Sequence, residues 1–350
     1  MICLRRFTPA YPGDPTKDVL NRSRRSIALD LKKPEAVEVA KHIASTCDAL
    51  IEGFRPGVME RLGLGPDTLL TLNPRLVYGR MTGWGQTGPL ANFAGHDINY
   101  ISLSGALHSC RQAGEKPTPP VNMLGDFGGG GMLLAFGIVA GLLSARSTGR
   151  GQVVDAAMTD GSALLTSMMW AMRGQGRWYE PPGTNHLDTG APFYDVYETA
   201  DGEFIALGAL ESEFHVEALR GLGLTEDPEF TPPLDRLRWP ALKKKLAQLI
   251  KTHTRAQWCT EFERRDACFT PVLSLDEASS NAHNCARGTF VEIDGAVQPA
   301  PAPRFARSGT VTPHAPRLND QDEDQVLLEL GYDPVRIRQL REVGALRARS

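Results

Sequence analysis

Two short segments of the sequence carry side chains that can exchange protons with a substrate. The first is Gly95-His96-Asp97-Ile98-Asn99-Tyr100, and the second is Gly125-Asp126-Phe127, which runs on into four consecutive glycines. Histidine and carboxylate side chains are frequent general acids and bases in enzymes. A helix that starts after a glycine run also offers backbone N–H groups to an anion or a developing oxyanion. Both segments are therefore candidates for catalysis.

Each segment also has a structural interpretation, and the residues alone leave both open. His96 can satisfy a turn or cap a helix, and the glycines can serve close helix–helix packing with Asp126 as a cap. Asp126-Phe127-Gly128 also matches the magnesium motif of protein kinases. The other kinase motifs are absent from the sequence, which excludes that function.

A basic cluster in the first third of the chain suits a ligand that carries phosphate, since such side chains follow predicted strand ends and turns. Its members are Arg22, Arg24, Arg25, Lys32, Arg55, Arg61 and Arg80. A solvated charged face is the alternative. Neither a P-loop nor a GxGxxG motif is present, so a standard ATP or NAD site is excluded. Four methionines near one helix, Met158, Met168, Met169 and Met172, fit either core packing or a flexible acyl-binding surface.

Composition limits the class of protein. The chain has 350 residues, 41% of them hydrophobic and 23% charged, with a net charge of -3, which is typical of a globular enzyme and gives no reason to expect nucleic acid. Six scattered cysteines and the lack of a signal peptide predict a reducing, cytoplasmic location. The longest apolar run, 132–145, is shorter than the roughly 18–20 residues that span a bilayer. It predicts a buried core helix and no membrane association.

Strands alternate with helices in the first third, which predicts βαβ units and a parallel sheet. We expect strands at 26–31, 48–53, 76–81 and 153–157, and helices at 34–46, 58–63, 66–72, 129–145 and 161–173. A hairpin at 193–208 and helices at 213–221, 240–252 and 255–264 predict a smaller α+β domain. Two charged helices, 323–330 and 334–343, end the chain.

The predicted fold class is therefore α/β with a second α+β domain. We expect a large domain over 1–180, a linker over 181–192 that is rich in Gly and Pro, and the small domain over 193–298. Residues 299–350 would form a return linker and C-terminal helices that pack on the large domain.

Several separate segments together resemble one family, the α-methylacyl-CoA racemases of the CaiB/BaiF, or family III CoA-transferase, superfamily. Besides the two segments around His96 and Asp126, they are 151–155, 188–194, 266–272 and the final 327–332. The resemblance covers nearly all of the chain from about Arg22. It implies a Rossmann-like large domain, a small domain and an interlocked homodimer.

The resemblance also implies site residues. His96 and Asp126 match the two catalytic bases, and Glu211 matches a glutamate that supports the histidine from the partner chain. The remaining matches bind CoA or the acyl substrate: Leu29, Asp30, Leu31, Lys32, Gly53, Phe54, Arg55, Arg61, Gly95, Asp97, Ile98, Asn99, Tyr100 and Gly125. No metal or cofactor is implied, because CoA is part of the substrate.

The sequence departs from the family pattern in two places, at the start of the chain and directly after Glu211. The chain begins near the family's second strand, with residues 2–6 as a remnant of the first, and the usual Glu-Pro is here Glu211-Ser212. The first departure concerns one wall of the CoA site, and the second the turn that carries Glu211.

The expected reaction interconverts (R)- and (S)-2-methylacyl-CoA, with one base on each face of the α-carbon and an enolate between the two proton transfers. Burial beside Phe127 would help Asp126 to hold a proton near neutral pH. Backbone N–H groups at the Asp126 turn are the candidate donors to the enolate oxygen. Two alternatives stay open: a CoA-transferase with Asp126 as nucleophile, and a CoA-binding protein without activity.

Overall fold

The computed structural model describes residues 2–5, 14–230, 235–318 and 320–346. The first part of the chain forms β1 (Ile2–Arg5), β2 (Arg25–Ala28), α1 (Pro34–Thr46), β3 (Ala49–Glu52), α2 (Val58–Arg61), α3 (Pro66–Leu72) and β4 (Val77–Thr82), with 3₁₀ turns at Pro15–Lys17 and Val19–Asn21. Then follow α4 (Asp97–Leu103), α5 (Ala106–Ser109), a π-helix (Met123–Met132), α6 (Leu133–Thr148), β5 (Val153–Ala157), α7 (Met158–Leu165) and α8 (Ser167–Gly174).

The remaining elements belong to the second half of the chain. They are β6 (Tyr194–Glu198), β7 (Phe204–Gly208), α9 (Ser212–Gly221), a 3₁₀ turn (Pro228–Phe230), α10 (Trp239–Ile250), α11 (Arg255–Phe262), β8 (Phe269–Pro271), α12 (Leu275–Ser280), α13 (Ala282–Arg287), β9 (Phe290–Ile293), β10 (Ala296–Pro299), α14 (Glu323–Glu329) and α15 (Pro334–Glu342).

The described chain divides into two compact units. The first consists of Met1–Arg80, Leu134–Asp155 and Leu275–Ser350, and the second of Met81–Leu133 and Ala156–Ser274. This division follows contacts within one chain. The domain boundaries expected from the linkers stay a prediction.

The first unit is α/β, as the alternation of strands and helices predicts. β1 pairs in parallel with β2, β3 pairs in parallel with β4, and β5 is the other neighbour of β4. Helix α1 starts at Pro34, whose fixed φ suits a first turn. It buries Ala36, Val39, Ala40, Ile43 and Ala44 along one face. The parallel pairing confirms the predicted fold class.

The C-terminal helices pack in the same core as the first strands. Leu327 of α14 and Leu340 of α15 share one hydrophobic cluster with Ile27 of β2 and Val39 of α1. Helices α14 and α15 therefore contribute to the core around β2 and α1.

The second unit combines helices with a small antiparallel sheet. β7 pairs antiparallel with both β6 and β8, and β6 and β7 form the predicted hairpin, which turns at residues 200–202. Its core includes Trp258 of α11, Ile250 of α10 and Leu219 of α9. The helix expected over 161–173 is two helices. Thr166 lies between α7 and α8, and its hydroxyl donates back to the Ala163 carbonyl oxygen at 2.7 Å.

The apolar run at 132–145 is helical but only half buried, so the expectation of a fully buried helix is wrong for this chain. One face of α6 is buried through Leu134, Ile138, Gly141 and Ala145. The opposite face is exposed through Phe136 (73%), Val139 (66%) and Leu143 (71%), and Met132 (69%) at the end of the π-helix continues it.

Together with the π-helix, α6 is long and apolar enough by length and composition to cross a membrane. A helix that is apolar all round is typical either of a membrane span or of a protein core. Here the buried face packs closely in an α/β layer, since a Cβ on Gly141 would lie 2.8 Å from the Val77 side chain of β4. The other face of α6 is exposed within the single chain.

Candidate active site

Helix α4 presents His96 at its first turn. His96 is the N-cap of α4 and is exposed, and its backbone N–H donates to Asn99 Oδ1 at 3.0 Å. His96 therefore occupies the N-cap position of α4, with Asn99 returning a hydrogen bond to its backbone. Capping leaves the imidazole at the surface of the second unit, where it can meet a substrate.

Asp97 joins the two segments that the sequence singled out. Its side chain is buried, with 2% of the residue exposed. Its Oδ1 accepts the backbone N–H groups of Gly125 at 2.7 Å and Asp126 at 2.8 Å. Hydrogen bonds to a carboxylate are stronger than neutral ones. Asp97, which follows His96, therefore connects the start of α4 to the segment that carries Asp126. His96 and Asp126 themselves lie 30 positions apart in the sequence.

Glycines allow this contact because no side chain would fit. A Cβ on Gly125 would lie 2.5 Å from Asp97 Oδ1. One turn further along the π-helix, Gly129 meets α7, where a Cβ on Gly161 would lie 1.8 Å from the Gly129 carbonyl oxygen. The packing interpretation of the glycine run is confirmed, and π-helical turns are frequent at functional sites.

Asp126 has a positioning partner that the sequence analysis missed. Asn122 has a left-handed backbone, with φ of 61°, and its side-chain amide donates to Asp126 Oδ2 at 2.7 Å. Asn122 precedes Asp126 by four residues, and this helical spacing was the signal available in the sequence. Asp126 is half-buried, but Phe127 is 50% exposed. Within the single chain, Phe127 does not provide the apolar enclosure that was expected.

The backbone amides at this turn already have acceptors. Gly125 and Asp126 donate to Asp97, and the Phe127 N–H donates to the Asn122 carbonyl oxygen at 3.3 Å. The role of these N–H groups as donors to an enolate oxygen stays a prediction, and within the single chain all three are already hydrogen bonded.

Glu211 lies apart from this arrangement. It is exposed and directly precedes α9. Among the residues that the structure describes, no hydrogen bond or ion pair joins Glu211 to His96. Glu211 is the N-cap of α9 and makes no side-chain cap hydrogen bond. Ser212, which replaces the family's usual proline, is the first residue of that helix.

The predicted CoA-binding segments belong to the first unit. Leu29 forms a bridge with Leu346, and the Asp30 N–H donates to the Ala345 carbonyl oxygen at 3.1 Å. Asp30 Oδ1 in turn accepts the Lys32 N–H at 3.2 Å. The end of the chain thus fixes the segment 29–32, and Lys32 stays exposed.

The turn after β3 is held by a buried ion pair that the sequence analysis also missed. Glu52 accepts the Phe54 N–H at 2.7 Å through one carboxylate oxygen and Arg80 Nε at 2.9 Å through the other. Arg80 also pairs with Glu60 of α2 at 2.7 Å, and this hydrogen bond holds the pKa of Glu60 below its usual range. Arg80 therefore fixes the turn and α2, rather than binding a ligand.

The seven basic residues now divide into two groups. Arg22, Arg24, Arg25 and Arg80 hydrogen bond to protein acceptors. The side chains of Lys32, Arg55 and Arg61 are exposed and have no hydrogen bond or ion pair to any described residue. These three are the basic residues among those that the resemblance assigns to CoA or substrate binding.

The structure thus brings together part of the predicted site. Gly95, His96, Asp97 and Tyr100 lie with Gly125 and Asp126 in the second unit, and Ile98 and Asn99 are exposed on α4. The predicted CoA residues lie in the first unit, where Leu31 and Phe54 pack against its core. No cluster of three or more metal-ligating side chains occurs in the described ranges.

Comparison with known proteins identifies the fold and the family of the chain. The fold is similar to that of a CaiB/BaiF family protein from Brucella suis, with a TM-score of 0.76, 22% identity, and coverage of 89% of this chain and 82% of the other. The sequence matches CoA-transferase family III over residues 4–322. The chain belongs to that family.

Two relatives within this family have names that state a specific activity. An alpha-methylacyl-CoA racemase from Mus musculus is 46% identical over 94% of this chain and 86% of its own length. The racemase of the same name from Homo sapiens is 43% identical over 92% of this chain and 84% of its own length. The family resemblance read from the sequence is confirmed.

Proposed function

We propose that the protein is an α-methylacyl-CoA racemase that interconverts (R)- and (S)-2-methylacyl-CoA thioesters. His96 and Asp126 are its two bases, one for each face of the α-carbon. The observation that carries this proposal is that the buried carboxylate of Asp97, the residue after His96, accepts hydrogen bonds from the amides of Gly125 and Asp126. The identity to the mouse and human racemases supports the substrate class.

The reaction is a 1,1-proton transfer. One base takes the α-proton, and the electron pair of the C–H bond enters the enolate. The conjugate acid of the other base then donates its proton to the opposite face of the α-carbon. A positioned acid or base contributes about 10²–10⁴-fold to such a step. No metal or redox cofactor takes part in these steps, and CoA is part of the substrate.

The CoA moiety is assigned to the exposed cations of the first unit. Lys32, Arg55 and Arg61 have no protein partner among the described residues, so their charges are available to phosphate groups. Their backbones are fixed by the chain end and by the Glu52–Arg80 pair. Fixed backbones with free cationic side chains suit the 3′-phosphate and pyrophosphate of CoA.

A CoA-transferase is the second candidate, because the family's own description names that activity. In that reaction Asp126 attacks the thioester carbonyl, the CoA thiolate leaves, and an aspartyl mixed anhydride forms. The half-buried Asp126 carboxylate suits either role. His96 favours the racemase, because the transferase does not need a second base there.

Deuterium incorporation distinguishes the two reactions. In deuterated water the wild type should place deuterium at the α-position of 2-methylacyl-CoA and interconvert the epimers. His96→Ala should abolish epimerisation and retain exchange of one enantiomer through Asp126. Asp126→Ala should retain exchange of the other enantiomer, which identifies the enantiomer that His96 deprotonates.

The transferase predicts different products. Incubation with acyl-CoA and hydroxylamine would trap an aspartyl hydroxamate at Asp126, and a free acceptor acid would become a thioester. Acyl transfer without any α-deuterium would overturn the racemase proposal. Binding of CoA with neither reaction would leave a CoA-binding protein.

We also propose a homodimer, with Glu211 acting in the site of the partner. The exposed face of α6 supports it, since three of its large apolar side chains and Met132 before it form one stripe at spacings of three and four residues. Contiguous exposed apolar patches of this kind mark protein–protein interfaces. Light scattering should give twice the chain mass, and Phe136→Glu with Val139→Glu should give monomers that have lost activity. A fully active monomer would contradict the proposal.

A further inference from the structure

The turn that carries His96 is held from behind by an aromatic pair. The Tyr100 hydroxyl donates a hydrogen bond to the Gly95 carbonyl oxygen, which belongs to the peptide that precedes His96. Tyr100 is buried, and its ring meets the Trp84 ring edge-on at 4.8 Å between centroids. Tyr100 lies one helical turn after His96, and helical side chains point back toward the N-terminus. This direction brings its hydroxyl to the peptide in question.

The ring occupies space that only glycines leave free. A Cβ on Gly83 would lie 2.0 Å from the Tyr100 ring, and a Cβ on Gly95 would lie 2.7 Å from it. The same Cβ on Gly95 would lie 2.8 Å from the Trp84 ring. Neither Gly83 nor Gly95 has a positive φ, so both are required for space and not for conformation. The Tyr100 ring is thus packed between two backbone segments and has little freedom to move.

Three hydrogen bonds fix the chain on either side of His96. The Tyr100 hydroxyl donates to the Gly95 carbonyl oxygen, and Asn99 Oδ1 accepts the His96 N–H. Asp97 Oδ1 accepts the Asp126 N–H. Two of these contacts hold the Gly95–His96 peptide, the Tyr100 hydroxyl at its carbonyl oxygen and Asn99 Oδ1 at its N–H. We propose that Tyr100, held by Trp84, is a positioning residue for His96, and that its hydroxyl sets the direction of the imidazole through the Gly95–His96 peptide.

This inference deepens the proposed function and rests on it for its kinetic consequence. Tyr100 does not touch the reacting atoms in this role, which differs from the substrate contact that the resemblance implies for it. A misplacement of about 1 Å can cost about 10²-fold in rate. We therefore expect a loss confined to the proton transfer that His96 performs, whereas a general loss of fold would affect both transfers.

The test is Tyr100→Phe, which keeps the ring and removes the hydroxyl. Tyr197→Phe is the matched control, because the Tyr197 hydroxyl is also buried and donates to a backbone carbonyl, that of Pro192, at 2.6 Å in the same unit. In deuterated water, Tyr100→Phe should slow exchange of the enantiomer that His96 deprotonates by about 10- to 100-fold. Exchange of the other enantiomer should change less than threefold, KM should be unchanged, and Tyr197→Phe should affect both enantiomers equally or neither.

A second readout needs no catalysis. With ¹³C-labelled histidine, the His96 ring signal is assigned by its loss in His96→Gln. Tyr100→Phe should shift or broaden that signal at a melting temperature close to that of Tyr197→Phe, and Tyr197→Phe should leave the signal in place. A wild type without racemase activity, combined with this shift, would refute the proposed function and retain the positioning role. Equal slowing of both enantiomers, or an unchanged His96 signal, would overturn the inference about Tyr100.

Discussion

The segments around His96 and Asp126 are positioned in a different way from the segments that carry Lys32 and Arg55. In the first region, backbone meets backbone or a buried carboxylate, and a single Cβ on Gly125 would come within 2.5 Å of Asp97. In the second region, ordinary side chains project into solvent from turns that are fixed elsewhere by Asp30 and by Glu52.

The difference corresponds to two tasks. Proton transfer requires placement to a fraction of an ångström, and close backbone contacts have little room to relax. Phosphate binding depends on long-range charge, which tolerates mobile side chains on a fixed turn. The first region should therefore respond to very small changes in shape, and the second to changes in charge and salt.

The largest expected effect tests the close contact in the first region. Gly125→Ala should lower kcat for racemisation by about 100-fold, because the new Cβ displaces Asp97 and with it the Asp126 segment. Affinity for free CoA, measured by calorimetry, should stay within about twofold, since the cations proposed to hold its phosphates, Lys32, Arg55 and Arg61, belong to the other unit.

Gly174→Ala is the control for this change. Gly174 ends α8, and a Cβ there meets nothing within 4 Å. Replacing a helical glycine by alanine in open space is worth up to about 1 kcal/mol of stability. Activity should be unchanged. Equal losses in Gly125→Ala and Gly174→Ala would show that the contact with Asp97 is not what matters.

The next effect tests charge in the second region. Replacing Lys32, Arg55 and Arg61 together by alanine should raise the Kd for CoA by more than about 10-fold, since even one hydrogen bond to a charged group is worth about 1.5–3 kcal/mol. The wild-type Kd should rise with salt, and the variant should lose most of this dependence. Arg25→Ala removes a cation already paired with Glu329 and should change neither value. Salt-independent binding in the wild type would contradict the assignment.

Much of the fold could be predicted from periodicity and punctuation in the sequence. Helices α1 and α3 occupy the predicted residues, because each begins at a proline and carries a regular apolar face. Strand β5 also lies where expected. The π-helix was missed because its first turns contain Gly125 and Asp126, which resemble a loop in composition. Its regularity comes from packing on α7, which no local pattern reveals.

The site could be predicted by residue type but not by partnership. His96, Asp97 and Asp126 were all candidates, yet only the fold shows that Asp97 accepts two amides of the Asp126 turn. In the same way, Arg80 looked like its basic neighbours until its partners Glu52 and Glu60 were known. Hydrogen bonds between residues about 30 positions apart leave no periodic signal, so these roles required the structure.

The smallest expected effect concerns pH in the second region. The hydrogen bond from Arg80 lowers the pKa of Glu60 from its usual 4.5, so the charged form is favoured in the folded state. Its stabilisation is therefore complete above about pH 4.5 and is lost as the pH falls through the lowered pKa. Since 44% of the Glu60 side chain is exposed, this pair contributes at most about 1 kcal/mol.

Glu60→Gln should accordingly reduce the free energy of unfolding in urea by up to about 1 kcal/mol at pH 7. The difference from the wild type should shrink between pH 5 and pH 3, because the wild type then loses the same charge. Glu38→Gln, which breaks an exposed pair with Lys41 on α1, should show a smaller difference at pH 7. A Glu60→Gln difference that stays constant from pH 7 to pH 3 would mean that shape and not charge holds α2. The second region would then be positioned in the same way as the first.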